Sequence, residues 1–434
     1  MVIYTVQNGD SLYSIAKRYG TEAELIARDN ELPSGGMLSV GQTLVILQPR
    51  TVYKVARGDT LYRVAERFGL TLNELWRNNP FLGGRTELQA GQLLTIVPEE
   101  KKYDKEIAVN AYVYPSVDRE VLRKTLPFLT YLTLFSYRFE EDGELIPPEG
   151  DDTELVELAR QYGVAPLMLI ASLGERGTFD SELASDLLSD PAAQELLIEE
   201  IVMTLAQKRY SGVEVDFEYV EGELAEEYVA FVRNLRERLS VLGYVTFVSL
   251  APKNSGEQPG LLYEGHDYRG MGEAADKTFL MTYEWGYTYG PPMAVSPLDK
   301  VTDVVDYAVS VIPPEKILLG VPNYGYNWTL PFVQGESRAQ SLGNVQAVEL
   351  AGAKRAAIEY DEVAEAPFFR YFERVNGRPV EHIVWFENAN SIRAMLDLVD
   401  RYGLDGIGVW NGMRYFPQLW QVLNHTYPIR RVLA

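Results

Sequence analysis

The chain contains no cysteine, and histidine is almost as scarce, with three residues far apart in sequence: His266, His382 and His425. The first absence excludes disulfides, cysteine-based metal sites and a cysteine nucleophile, and the second argues against a histidine metal site. Long apolar runs and a basic, apolar leader are also missing. We therefore expect neither a transmembrane helix nor a signal peptide.

Positive charge is the other shortage, because the 434 residues carry a formal net charge of −22. This balance is typical of a protein that binds neither nucleic acid, whose phosphates need a basic footprint, nor anionic membrane lipid. Hydrophobic residues make up 46% of the chain, which predicts two or three globular domains with full cores. We expect a monomer that requires no metal or organic cofactor.

The most unusual stretch is residues 210–219, Y-S-G-V-E-V-D-F-E-Y, in which acids recur at every second position. Side chains alternate between the faces of a strand, so Glu214, Asp216 and Glu218 are predicted to share one face. In a buried parallel sheet, three such acids are costly unless they are paired, protonated or functional. Crowded carboxylates hold protons near neutral pH, as a general acid must. The alternative is an edge strand with a solvated acidic face.

Two similar segments open the chain, residues 4–46 and residues 53–96. Each contains a Gly-Asp turn, an apolar stripe of helical spacing, an asparagine near its middle and a closing Gly-Gln turn. This order predicts strand, helix, helix and strand in each segment. Domains are accordingly expected over residues 1–48, 51–98 and 106–434.

These segments resemble the LysM domain, a small βααβ module that binds the N-acetylglucosamine-containing glycans of peptidoglycan and chitin. The resemblance implies a shallow sugar groove between the first strand–helix loop and the loop before the last strand. Helix capping uses the same loops, so a purely structural role stays open for the aspartates and asparagines. The residues that the resemblance places in the two grooves are Gly9, Asp10, Ser11, Asn30, Leu32, Gly58, Asp59, Thr60, Asn79 and Phe81.

From residue 107 onward, apolar strand-like runs alternate with amphipathic helical stretches. The alternation predicts an α/β fold, a (β/α)8 TIM barrel, with a small α+β insertion near residues 329–384. A doubly wound open sheet is the alternative, although no glycine-rich phosphate turn follows a strand. The predicted strands cover residues 107–113, 131–137, 165–172, 212–218, 245–251, 278–284, 317–324 and 406–410.

Active sites of such barrels lie at the carboxyl ends of the strands. In this sequence those ends combine acids, tyrosines and a late tryptophan, which together suit a sugar subsite because aromatic rings stack on sugars and carboxyl groups move protons. The predicted substrate-binding residues are Glu214, Met281, Glu284, Asn323, Tyr324, Trp410 and Tyr137.

This set resembles glycoside hydrolase family 18, the chitinase-like barrels, and within it the LysM-bearing N-acetylglucosaminidases that act on spore-cortex peptidoglycan. The family motif D-x-x-D-x-D-x-E falls on Ser211, Glu214, Asp216 and Glu218, so the last two acids match and the first two positions depart. The longer acid at Glu214 is expected to alter how protons are shared below Asp216, and with it the pH profile.

The resemblance implies roles for four residues. Glu218 is the general acid/base, Asp216 orients the substrate's 2-acetamido group, and Tyr283 hydrogen-bonds the acetamido oxygen. That oxygen attacks the anomeric carbon, so the substrate replaces the second carboxylate of an ordinary retaining enzyme. Trp410 forms the floor under the sugar at the scissile bond.

We therefore expect a glycoside hydrolase that cleaves β-1,4 bonds at N-acetylglucosamine in peptidoglycan and that is associated with the spore coat or cortex, or with the cell wall. A chitinase is one alternative, because chitin carries the same acetamido group. Another is a non-catalytic lectin built on the barrel, with Glu214 marking the loss of activity. The third is an interaction scaffold whose repeats dock onto a protein.

Overall fold

A computed structural model describes residues 1–32, 38–98, 101–174 and 176–433. The remaining positions, which include residues 33–37 of the first predicted domain and residues 175 and 434 of the third, lie outside the described residues. The chain runs from two small N-terminal repeats into one large α/β barrel that carries an inserted sheet.

Each repeat folds as a strand, two helices and a strand, with its two strands paired antiparallel. Ser11 and Thr60 begin the first helices, since each hydroxyl accepts a backbone N–H one turn on. Gly20 and Gly69 end these helices in the left-handed conformation. The predicted βααβ modules are thus confirmed. The elements are β1 (Val2–Thr5), α1 (Leu12–Tyr19), α2 (Ala23–Asp29), β2 (Thr43–Ile46), β3 (Thr51–Lys54), α3 (Leu61–Phe68), α4 (Leu72–Asn78) and β4 (Leu93–Val97).

Eight parallel strands close into a ring, because the last strand pairs with the first as well as with the seventh. The predicted TIM barrel is confirmed, and closure rules out the open doubly wound sheet. The barrel strands are β5 (Ala108–Val113), β6 (Tyr131–Phe139), β8 (Ala165–Ala171), β9 (Gly212–Asp216), β10 (Val245–Leu250), β11 (Lys277–Leu280), β12 (Ile317–Pro322) and β18 (Gly406–Trp410), and the short β7 (Leu145–Ile146) extends β6 outside the ring.

Helices surround the ring and pack on the outward-facing residues of the strands. They are α5 (Arg119–Thr125), α6 (Thr153–Gln161), α7 (Ser181–Ser189), α8 (Pro191–Lys208), α9 (Ala225–Ser240), α10 (Leu261–Glu264), α11 (Tyr268–Ala274), α12 (Leu298–Val311), α14 (Ala389–Tyr402) and α15 (Pro417–Thr426). Single 3-10 turns lie at Pro80–Leu82, Leu126–Phe128, Gly222–Leu224 and Pro314–Lys316.

The insertion between β12 and β18 is a five-stranded antiparallel sheet with one helix. Its longest hairpin turns at Asn376 and Gly377, whose φ angles of 50° and 78° fit the tight turn that joins twisted strands. The elements are β13 (Gly325–Thr329), β14 (Gln340–Leu342), α13 (Asn344–Lys354), β15 (Glu359–Asp361), β16 (Ala366–Val375) and β17 (Arg378–Trp385).

Side chains along β9 point alternately outward, toward the helices, and inward, into the barrel. Val213 and Val215 pack outward against the helices, whereas Glu214 and Asp216 point into the barrel. The strand ends at Asp216, two residues earlier than predicted, because the Phe217 N–H donates to the Tyr228 hydroxyl at 3.3 Å instead of continuing the ladder. Glu218 therefore sits on the loop that follows the strand.

Candidate active site

Glu214 lies deepest in the barrel and is fully buried. Its carboxylate accepts from the Tyr112 hydroxyl at 2.6 Å and from the Ser249 hydroxyl at 2.9 Å on one oxygen. The other oxygen accepts from Thr133 at 3.0 Å and from Asn110 at 3.5 Å. Burial raises the pKa of Glu214 to about 7, although these hydrogen bonds act in the opposite direction.

Glu214 was predicted to bind substrate, and the structure places its side chain below the cleft, fully buried and hydrogen-bonded to four neighbours. Inward-facing residues of one strand are stacked along the barrel axis, roughly 6–7 Å apart for two positions. Glu214 occupies the lower level, which other strands fill with donors. This position beneath Asp216 suits a supporting role.

Asp216 occupies the next level and is 5% exposed. Its Oδ1 atom has no hydrogen-bond partner among the described residues. Burial, then the nearby charges of Glu218 and Glu214, raise the pKa of Asp216 well above its ordinary value. An oxygen that lacks a protein partner at the mouth of a barrel is free to accept a hydrogen bond from a bound substrate.

Glu218 is half-buried on the loop beyond the strand. Burial raises its pKa to about 7, and the charge of Glu284 contributes in the same direction. The ring of Phe217 fixes the base of this loop by stacking on Tyr228, with centroids 5.3 Å apart. A carboxyl group with such a pKa holds its proton at neutral pH, as a general acid requires.

Tyr283 and Trp410 form an aromatic floor beside the acids. Their rings lie nearly parallel, with centroids 6.5 Å apart, and Phe135 packs on Trp410 at 5.3 Å. Burial and the neighbouring carboxylates raise the pKa of Tyr283 well above its ordinary value, so its hydroxyl stays a hydrogen-bond donor. Met281 packs partly buried against the same interior cluster.

Glu284 lies at the cleft mouth with its backbone in the left-handed conformation, at φ 67°. Its carboxylate accepts hydrogen bonds from the hydroxyls of Tyr324 and Tyr326, the latter at 3.0 Å. Burial of this carboxylate raises its pKa, and the two hydrogen bonds partly offset the effect. Tyr324 and Glu284, both predicted for the site, are thus brought together, and Tyr326 joins them.

Two predicted substrate-binding residues are not brought together with the acids. Tyr137 points into the helix layer, where its hydroxyl donates to buried Asp152 at 2.6 Å. Asn323 is buried and donates to the backbone carbonyls of Asn411 and Arg414, at 3.0 and 2.8 Å. It ties the end of β12 to the loop after β18.

Several supporting residues were missed by sequence reasoning. Tyr112 was missed although it alternates with Asn110 on the inner face of β5, which is a readable signal. Thr133, Ser249 and Tyr326 carry no comparable signal, because small hydroxyl residues and tyrosines are also frequent at ordinary core positions.

In the repeats, the structure separates the predicted groove residues into buried and open ones. Asn30 and Asn79 are 6% and 0% exposed. Each side chain donates to a carbonyl of the second helix and forms two hydrogen bonds with the backbone N–H and carbonyl of one residue in the closing strand, Val45 or Thr95, all at 2.8–2.9 Å. These internal hydrogen bonds favour the structural role that the sequence left open for the two asparagines.

The first loop of each repeat is open. Gly9, Gly58, Ser11 and Thr60 are exposed. The aspartates beneath accept from a tyrosine hydroxyl and from a backbone N–H, which lowers the pKa of both carboxyls, Asp10 and Asp59. Of the two apolar groove predictions, Leu32 packs partly on the core of its repeat, and Phe81 lies under the Arg28 guanidinium, 4.3 Å from the ring centroid.

Neither a metal-binding cluster nor a membrane-spanning helix is found among the described residues. They contain no group of three histidine, aspartate or glutamate side chains placed to hold a metal ion. Among the described helices, none combines the length and apolar character that a membrane span requires.

Comparison with known proteins gives relatives over the whole length. Residues 93–413 match the model of Glycosyl hydrolases family 18, and residues 4–47 and 53–97 each match the LysM domain. The cortical fragment-lytic enzyme of Bacillus subtilis (strain 168) is 39% identical over 435 residues, covering 99% of both chains. The crystal structure of the Bacillus cereus spore cortex-lytic enzyme SleL is similar with a TM-score of 0.83 at 36% identity, over 99% of this chain and 98% of that one.

Proposed function

We propose that this chain, which belongs to glycosyl hydrolases family 18 and carries two LysM domains, hydrolyses the peptidoglycan of the spore cortex. It is a glycoside hydrolase of the cortex-lytic kind, as its motifs predicted. The finer proposal is that it cleaves β-1,4 bonds at N-acetylglucosamine, with retention, and uses the substrate's own acetamido group as nucleophile.

One observation carries this proposal: an unpartnered Asp216 oxygen between a hydrogen-bonded acid below and, above, an acid whose pKa burial raises to about 7. The three acids cannot all be ionised, because their environment is buried and they share one charge sign. The site therefore holds a proton for donation at neutral pH, together with an acceptor that awaits the substrate.

In the first step, Glu218 donates its proton to the glycosidic oxygen, and the bond from that oxygen to the anomeric carbon breaks. The acetamido carbonyl oxygen forms a new bond to this carbon and gives a cyclic oxazolinium ion. Asp216 accepts the acetamido N–H and stabilises the developing positive charge. The Tyr283 hydroxyl donates to the acetamido oxygen and holds it in line with the carbon.

In the second step, the Glu218 carboxylate removes a proton from a water molecule, whose oxygen attacks the anomeric carbon and opens the oxazolinium ring. Glu218 ends protonated, as it began. Two displacements at one carbon return the original configuration. Glu214 keeps its hydrogen bonds throughout and holds in place the part of the barrel interior that lies beneath Asp216.

The repeats hold the enzyme on its glycan through their open first loops. Exposed tyrosines stand in the first turn of both first helices, where Tyr13 is 75% and Tyr62 is 63% exposed. Tyrosine rings stack on the apolar faces of sugars, so these two side chains suit a glycan strand that passes the helix starts. Association with cortex or cell wall follows from this attachment.

Glu218→Gln is the direct test of the acid. We expect hydrolysis of soluble cortex fragments to fall by about 10²–10⁴, because the amide cannot donate a proton in the same way, while glycan binding is retained. Glu223→Gln, an exposed change of the same charge, serves as the control and should keep the parent rate. A parent rate in Glu218→Gln would exclude this residue as the acid, and an inactive parent that still binds glycan would favour the lectin.

Product analysis tests the bond. Mass spectrometry should find N-acetylglucosamine at the new reducing ends, and muramic acid there would contradict the proposed specificity. A fragment whose acetamido group has been removed at the target sugar should not be cleaved there, because its nucleophile is gone. Chitin oligomers belong in the same panel, and faster cleavage of chitin would favour the chitinase.

A further inference from the structure

The two repeats meet the barrel differently at their closing turns. A Cβ atom added to Gly41 in the first repeat would lie 1.8 Å from the Ile358 carbonyl oxygen of the insertion. The Ile358 N–H also donates to the Val40 carbonyl at 2.8 Å. The equivalent Gly91 of the second repeat has nothing within 4 Å. The closing turn of the first repeat is therefore docked, and that of the second is open.

Reciprocal hydrogen bonds fix the docked turn in place. The Thr43 hydroxyl donates to the Gln418 side-chain oxygen at 2.7 Å, and the Gln418 amide donates to the Thr43 carbonyl at 2.6 Å. Both residues are buried. The first repeat and the start of α15 thus form one rigid unit at this point.

A cavity of about 470 Å³ lies between this repeat and the barrel. The repeat contributes Leu32 and Ser39, and α13 contributes Val345 and Val348. The volume is within the range of about 300–1,000 Å³ that small-molecule sites occupy. Leu32 is one of the residues that the LysM resemblance assigns to the sugar groove, so the cavity includes a predicted groove residue.

Two buried polar groups that line the cavity lack partners. Asn344 is 2% exposed, and its Oδ1 atom accepts the Glu387 backbone N–H at 2.9 Å. This bond fixes the amide and leaves the Asn344 Nδ2 donor without a partner among the described residues. Fully buried Glu387 has no carboxyl partner at normal hydrogen-bond geometry among the described residues, although the nearby Ser391 side chain acts to lower its pKa. Such groups cost free energy unless something satisfies them.

We propose that the docked first repeat and helix α13 form one composite subsite for an N-acetylated amino sugar of the glycan. The acetamido carbonyl accepts from Asn344 Nδ2, the sugar's N–H or hydroxyl groups satisfy Glu387, and its apolar face packs on Leu32 and Val348. This inference rests on the proposed function, since it takes the glycan as the ligand.

The chemistry favours an uncharged amide over an amine. Burial raises the pKa of Glu387 to about 8, so this carboxyl is largely protonated at neutral pH and gains nothing from a cation unless it ionises. An acetamido group needs no net charge in the site, and it offers one acceptor and one donor to a floor that presents one donor and one carboxyl.

The cavity continues toward the catalytic end of the barrel. A neighbouring cavity of about 200 Å³ shares Asn344, Val345 and Phe416 with it and reaches Asn323 at the end of β12. Together the two cavities extend from the first repeat to the carboxyl end of β12.

Hydrogen exchange of full-length Glu218→Gln protein, which binds without cleaving, tests the subsite. With an N-acetylglucosamine tetramer at about ten times its Kd, we expect exchange in residues 344–354 to slow about tenfold. Segment 281–287 reports the catalytic cleft in the same experiment. Protection of 281–287 without any change in 344–354 would overturn the composite subsite while leaving the proposed function intact. Absence of protection in both would contradict the two together.

Matched variants in the same background locate the effect. Gly41→Ala and Gly91→Ala impose similar backbone strain, because their φ angles are 84° and 93°, but only the first displaces the docked turn. Gly41→Ala and Val348→Trp, which fills the cavity, should lose the protection of 344–354, and Gly91→Ala should keep it. Equal protection in all three would overturn the proposal. A tetramer of glucosamine that protects α13 equally would overturn the acetamido assignment.

Discussion

The three inward carboxyl groups differ in what surrounds their oxygens. Glu214 has four donors, Asp216 has an oxygen with none among the described residues, and Glu218 faces the charge of Glu284. In the proposed mechanism, carboxyl groups two residues apart thereby act as a support, an acceptor and a proton donor. Their roles follow from depth in the barrel and from their neighbours, since Asp and Glu have nearly the same ordinary pKa.

The pH profile should depend on Glu284. Glu218 must be protonated to act as the acid, so kcat/KM should fall as pH rises through about 7, the raised pKa of Glu218. Glu284→Gln removes a negative charge that helps to raise this pKa, and the falling limb should therefore move to lower pH. Glu223→Gln, which removes an exposed carboxylate in the 3-10 turn Gly222–Leu224, is the charge control. An unchanged limb, or one at higher pH, would contradict the assignment of Glu284.

At the residue scale, the sequence predicted which face of β9 carries the acids, because parity is a property of any strand. The depth of a residue in the barrel, and the point at which an irregular strand turns a side chain to the other face, were not predictable in the same way. Glu214 lies deeper in the barrel than Asp216 and is fully buried. Tyr137 follows a register irregularity in β6 that turns it outward, and no motif in the sequence marks that irregularity.

Within each repeat, one buried asparagine joins the second helix to the closing strand. Asn79 makes three such bonds in the second repeat. Asn79→Ala should lower the free energy of unfolding by about 1–3 kcal/mol, because backbone groups of Thr95 lose their partners in the interior. Denaturant unfolding measures the change.

Tyr62→Ala, at an exposed site of the same repeat, is the control and should change stability by about 0.5 kcal/mol or less. If Asn79→Ala proved as stable as the parent and lost only glycan affinity, the asparagine would be a ligand contact after all.

At the element scale, the alternation of strands and helices was readable, but strand ends were not. β9 stops where a tyrosine hydroxyl from α9 takes the next N–H, and β11 stops at Leu280, before the Met281–Glu284 segment that reaches the cleft. Both endings depend on contacts with elements distant in the chain. Local propensity does not contain that information.

Across the whole molecule, the repeats pack tightly on the barrel. The rings of Trp76 and Tyr162 are in contact, tilted by 34° with centroids 5.0 Å apart, and the Asn73 amide donates to the Tyr162 carbonyl at 2.7 Å. Together with the Thr43–Gln418 bonds, these contacts couple all three units.

Heating should accordingly unfold the full chain in one calorimetric transition, because melting a repeat would expose its buried interface on the barrel. The calorimetric and van't Hoff enthalpies should agree. Tyr162→Ala weakens only the interface between the second repeat and the barrel. We therefore expect this repeat to unfold in a separate transition at lower temperature. Separate transitions in the parent would show that the repeats are independent of the barrel.

The number, order and kind of domains could be predicted from repeats and motifs, whereas their docking could not. The docked surfaces are turns, helix starts and small residues such as Gly41 and Gly84. They form no apolar stripe with a period, so pattern analysis has nothing to detect there.

The firm attachment of the first repeat to the barrel fixes the distance between the two. A tethered module would let the cut fall anywhere along the strand within the reach of its linker. Here the turn at Gly41 packs against the insertion, so a glycan held in the proposed composite subsite would lie a fixed number of sugars from the broken bond. Fragments released from long glycan strands should then cluster at one preferred length.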